Sequence, residues 1–195
     1  MLWQRSLVMI DDESESLWCH LLGQAMKGPL TGESLKTIPS VMTDWRTWRD
    51  EHPDTTAVAM SRLADRYRIN WYRTPERFVI GLADEKTSRA WNFADLHKTN
   101  VINDVFDDVQ VLVLFAPDTS TAIVYDRRLN DTTLTFEMRD GKLFDREFGS
   151  QWNLVTGAAV DGRLEGQRLN KLPAIVSFDI AWQKFHPFST YWQAQ

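Results

Sequence analysis

The chain has 195 residues, 43% of them apolar and 25% charged, with a formal net charge of −5 and a single cysteine. Such a chain folds as one large domain or two small ones without a disulfide or metal staple, and one cysteine allows no internal disulfide framework. The composition excludes a disordered chain, a collagen and a coiled coil, the acidic balance argues against nucleic-acid binding, and no apolar run approaches the roughly 18 residues of a membrane helix.

The chain opens with a short apolar stretch, Leu7 to Ile10, followed by Asp11-Asp12-Glu13. This is too short for a secretory leader, so the expected location is the cytoplasm, or outside it if the chain is a processed fragment. Glycines at 23, 28 and 32 between apolar positions read as tight turns or bulges in strands. Ile38–Val41 reads as a short strand, and Trp45 and Trp48 as a helical face that stops at His52, before Pro53. Residues 61–76 form a connector rich in Arg and aromatics, read as a strap that pairs with neighbouring carboxylates rather than as a nucleic-acid surface. From 77 to 145 the pattern is β: Phe78–Leu82, Arg89–Phe93, Val109–Phe115, Thr121–Tyr125, Leu134–Met138 and Leu143–Asp145, with a helical turn at Phe93–His97. Leu172–Val176 then reads as a strand, and Phe178, Ala181, Trp182 and Phe185 as a helix face ending at His186.

The strongest signal is an internal repeat. A shift of 134 positions places Asp11, Glu13, Ser16 and Trp18 on Asp145, Glu147, Ser150 and Trp152 without a gap. It also places Gly23, Ala25, Gly28, Leu30 and Gly32 on Gly157, Ala159, Gly162, Leu164 and Gly166. Leu35, Pro39, Trp48, His52, Pro53 and Thr56 fall on Leu169, Pro173, Trp182, His186, Pro187 and Thr190. A duplication is the simplest account. The glycine series lacks the Lys-Ser/Thr of a phosphate loop and the Gly-x-Gly of a dinucleotide fingerprint. The predicted fold is mainly β with short helices (α+β), as two related modules. Residues 1–60 are the trailing half of a first module that is incomplete, 61–76 the connector, and 77–195 a complete second module, together one compact unit. An orphan half would leave strand edges open, so 1–60 is expected to pack on the complete module or on another chain.

Several groups bear chemistry. Asp11, Asp12 and Glu13 with Asp145 and Glu147 have the residue types of paired carboxylates for acid–base work or a divalent cation. Their repetition favours turns in which Ser16 and Ser150 bond nearby backbone. His97 with Asn103 and Asp104 is the best single polar place in the complete module. Cys19-His20 reads as a packed cysteine beside an exposed histidine, and His52 and His186 as helix-end groups bonding the last carbonyls. The nine tryptophans, Trp18 and Trp152 among them, fit core plugs or interface anchors. The leading expectation is a non-enzymatic binding or assembly module whose partner is a protein or a second copy, with no cofactor implied. The alternative is an enzyme or metal-binding protein with a carboxylate/His97 site between the modules.

Asp-x-Glu-Ser-x-Ser-Leu-Trp at 11–18, the glycine ladder to Leu35, Pro39, and Trp48 with His52-Pro53-Asp54-Thr55 resemble the prokaryotic family catalogued as domain of unknown function 3179. Val101–Asp104 through Tyr125-Asp126-Arg127, and Trp182–Pro187, are similar to the same family's second half. The resemblance covers almost the whole chain. It implies that fuller relatives carry a leading half with a Cys-Pro-Leu-Cys-Gly stretch and are often exported. Here the corresponding place of the second module reads Phe115-Ala116-Pro117-Asp118-Thr119, with no cysteine.

Overall fold

A computed structural model describes residues 2–4, 6–57, 74, 77–119 and 121–194; apart from Thr74, the 61–76 connector lies outside the described residues. The architecture is mainly β with three short helices among the described residues. The N-terminal segment forms β1 (Leu2–Trp3), β2 (Ser6–Ile10), β3 (Leu17–Cys19) and β4 (Gln24–Lys27), one antiparallel sheet in that order. Helix α1 (Trp45–Glu51) follows; the Asp44 carboxylate accepts from the amides of Arg46 and Thr47 and so satisfies two of its free donors.

The middle of the chain supplies β5 (Phe78–Ala83), β6 (Ser88–Asn92), α2 (Phe93–Leu96), β7 (Val101–Phe106), β8 (Val109–Ala116), β9 (Thr121–Asp126), β10 (Arg128–Leu129) and β11 (Thr132–Thr133). The C-terminal part repeats the first sheet as β12 (Phe136–Arg139), β13 (Lys142–Asp145), β14 (Gln151–Trp152) and β15 (Ala159–Asp161). It then runs through β16 (Asn170–Lys171), β17 (Ile175–Phe178), α3 (Asp179–Phe185) and β18 (Thr190–Tyr191). Two further four-stranded sheets result, β16-β9-β8-β7 and β17-β5-β6-β18.

The continuous apolar run of β8 has a direct structural cause: it is buried on both faces. Val111, Val113 and Phe115, with Ala122 and Val124 of β9, face Ile80, Leu82 and Trp91. Leu112 and Leu114, with Ile123 and Tyr125, face the opposite way onto Leu143, Trp152, Val155, Ala159 and Leu169 of the second repeat. A third cluster joins Cys19 and Leu21 of the first repeat to Val79, Ala90, Ala181 and Trp182. The N-terminal segment makes further contacts with the rest of the chain. Trp3 packs edge-on against Phe185 at 5.2 Å, the Thr43 and Thr121 hydroxyls lie 2.7 Å apart, and Glu51 accepts from Asn153 at 2.7 Å.

Three expectations are corrected. Ile38–Val41 does not form a strand; in this stretch only the adjoining Met42 makes an isolated bridge, to Ala122 of β9. The predicted strand Leu172–Val176 is broken in the same way: β16 ends at Lys171, where it pairs with β9, residues 172–174 around Pro173 lie between strands, and β17 begins at Ile175, where it pairs with β5. Strand β7 was not among the predicted strands: polar Asn103 and Asp104 interrupt its apolar pattern, but both are satisfied by tertiary bonds described below.

Candidate functional site: a repeated Asp-Ser-Trp box, closed in one copy and open in the other

The central bonds of the repeat are preserved in both copies. In the first copy the Asp11 amide donates to the Ser16 carbonyl and the Trp18 indole N–H to the Asp11 carboxylate at 2.8 Å. In the second, the Asp145 amide donates to Ser150 and the Trp152 indole to Asp145 at 2.9 Å. The Ser16 hydroxyl accepts from the Leu30 amide as the Ser150 hydroxyl accepts from Leu164. Gly28 and Gly162, both at positive φ, must lack a side chain, since a Cβ would lie 2.7 Å from the Ser16 Cα and 2.9 Å from the Ser150 Cα. The register matches too, with Met9 opposite Trp18 and Leu143 opposite Trp152, and a bulge at the same step.

This bonding decides what the carboxylates do. Asp11 is held at about 2, below the usual carboxylate range, by the Ser14 hydroxyl first, then the Trp18 indole and the Ser14 amide. Asp145 is fully buried and accepts from the amides of Phe148 and Ser150 as well as from Trp152. Both are turn-building acceptors. Glu147 accepts from the Thr135 amide at 2.8 Å, while Asp12 and Glu13 are exposed at the turn.

The helix ends repeat as well. The backbone amides of His52 and His186 cap Trp48 and Trp182, whose indoles donate to Thr55 and Ser189. The imidazoles do not bond the last carbonyls as expected; they lie against the indoles, at 4.0 Å for Trp48–His52 and 4.2 Å for Trp182–His186. Burial lowers the His186 pKa, which keeps the ring neutral and removes the expected dipole pairing.

His97, Asn103 and Asp104 do not converge on a common site. His97 bonds the Phe93 carbonyl through Nδ1 and packs on Phe115. Asn103 exchanges two bonds with the backbone of Phe136. Asp104 is held by Arg89 at 2.6 and 3.1 Å and by the Trp91 indole at 2.9 Å. Cys19 is fully buried and His20 exposed. Among the described residues there is no group of three or more His, Cys, Asp or Glu placed to hold a metal ion.

What distinguishes the copies is cover. Leu143, Trp152 and Leu169 are 3–4% exposed under the face of β8 and β9. Their counterparts Met9 and Leu35 are 43% and 56% exposed, and Trp18 is half-buried. Met9, Trp18 and Leu35, with Ile38, Val41 and Met42, line a cleft of about 530 Å³ whose other wall is Ala174, Ile175 and Val176. Ile10 and Leu30 extend the apolar surface beyond it. Composition pointed to the tryptophans but not to this face. Nor did it mark Tyr125, whose hydroxyl donates to the carbonyls of Leu154 and Val155 at 3.0 and 2.6 Å and locks β9 onto the second repeat.

These features define a mainly β protein built on a duplicated four-stranded unit, one copy of which is covered by β8 and β9. The family model described as Protein of unknown function (DUF3179) matches residues 1–75 and again 70–189, and the chain belongs to that family. The family model thus matches twice along the chain, the two matches overlapping at residues 70–75. No curated protein and no solved structure matches the chain. No helix among the described residues is long and apolar enough to cross a membrane.

Proposed function

We propose that the chain is a non-enzymatic binding or assembly module whose partner seats on the open face of the first repeat. One observation carries this reading. Residues that the second repeat buries almost completely are exposed at the same positions of the first, and they form one contiguous apolar surface. Such surfaces mark association sites, and Trp18 at its centre is the residue type that dominates interface energy. Asp11, Asp145, Glu147, His97, Asn103 and Asp104 are each engaged in holding turns and sheets together, which weighs against a carboxylate/His97 enzyme or metal site.

Methionine-oxidation footprinting tests the reading. Met9 is expected to oxidise freely in the isolated chain and about tenfold or more slowly in the native assembly recovered from its source. Equal rates in the two preparations would show that nothing covers the face.

A further inference from the structure

We infer that the partner is a β-sheet of the same kind as β7–β9, supplied by another polypeptide, and that it docks by strand addition to Lys36–Ile38 with an aromatic side chain seated over Gly23. The inference rests on the binding reading above and names the chemistry of the partner.

The second repeat shows what a covered face looks like. There, Asn170 and Lys171 pair with Asp126 and Tyr125, and the Leu172 amide continues the ladder to the Val124 carbonyl. The residues at the same positions of the first repeat are Lys36, Thr37 and Ile38. Among the described residues nothing pairs with their backbone, and Ile38 is 74% exposed. Unpaired backbone beside an apolar face is what strand addition uses: main-chain bonds give affinity and side-chain pockets give selectivity.

The aromatic seat is equally specific. The Tyr125 ring comes within 2.6 Å of where a Cβ on Gly157 would be, so only glycine admits it. At Gly23 the same space is open among the described residues, whose nearest heavy atom is the Leu35 carbonyl oxygen at 3.8 Å. The carbonyls that receive the Tyr125 hydroxyl belong to Leu154 and Val155. Their counterparts are His20 and Leu21, which border the cleft and accept no hydrogen bond from the described residues. The first repeat thus keeps the glycine, the carbonyl pair and the apolar floor of the seat.

A second copy of this chain does not fit. Its own β8–β9 face is buried on its second repeat, and the edge of its β9 is taken by β16 and Met42.

The test places a photo-crosslinking benzoylphenylalanine at Ile38 in the full chain and irradiates it in its native cells, with and without Gly23→Ala. In Gly23→Ala the Cβ meets no described atom closer than 3.8 Å, so the only cost to the fold is the modest penalty of its positive φ, and an unchanged thermal midpoint to within a few degrees shows that the fold is kept. The expected adduct is a peptide of another polypeptide with an alternating apolar strand pattern and a tyrosine or phenylalanine, and Gly23→Ala should reduce its yield at least about tenfold. An adduct with this same chain, an adduct with a helical segment, or a yield indifferent to Gly23→Ala would overturn the inference. So would the lack of any adduct in a preparation where Met9 is protected, which leaves the binding reading standing. Unprotected Met9 defeats both.

Discussion

The two repeats differ little in their own bonds and greatly in their surroundings. Both carry the Asp-to-Trp indole bond, the Ser-to-Leu cap and the close Ser–Gly approach. Yet Trp152 is 3% exposed and Leu169 4%, while Leu35 is 56% exposed. The box therefore holds its turn geometry without a covering sheet. Local hydrogen bonds shape the unit, and the covering sheet adds apolar burial.

The largest test of this contrast is truncation of the paired tryptophans. Trp152→Ala removes a buried ring and should cost about 3–5 kcal/mol, whereas Trp18→Ala, at a half-open site, should cost about 1–2 kcal/mol. Denaturant unfolding of the two variants would read the difference directly, and equal losses would mean that the first face is not open in solution. The glycines give the next largest split. Gly157→Ala drives a Cβ into the Tyr125 ring and should cost about 2–4 kcal/mol, against about 1 kcal/mol for Gly23→Ala, where only the positive φ is penalised. Tyr125→Phe strips one donor from two carbonyls and should lower stability by about 1–2 kcal/mol with the fold unchanged.

The carboxylates sharpen the comparison through pH. The hydrogen bonds from Ser14 and Trp18 hold the Asp11 carboxyl at about 2, below the ordinary aspartate value of 3.8. Its contribution is thus present above about pH 4 and fades as pH falls through 2. Wild type and Asp11→Asn should therefore converge in thermal midpoint between pH 4 and pH 2; a constant offset across that range would show that the Ser14 and Trp18 bonds are not formed. The smallest effect on stability belongs to Ile38→Asp, within about 0.5 kcal/mol at this exposed site, although the same change should weaken partner capture.

Much of this was legible in the chain. The 134-residue offset identified the repeated unit, and the aligned Asp, Ser, Trp and Gly anticipated its turns, because those interactions span at most fourteen residues and depend on local spacing. The β8 run announced a buried strand through its unbroken apolar residues. Other features were not readable. Asn103 and Asp104 looked like a polar site beside His97, yet their partners, Phe136, Arg89 and Trp91, sit on other strands. His52 and His186 looked like carbonyl binders, but an indole one helical turn earlier offered each ring a better surface.

By itself the sequence determined the duplication, the β-rich class and the internal bonding of each repeat, since these follow from short-range geometry that travels with the residues. Only the tertiary structure decided which copy is covered. Burial depends on what lies across the face, and identical residues become core beneath Tyr125 and open surface where no sheet stands over them.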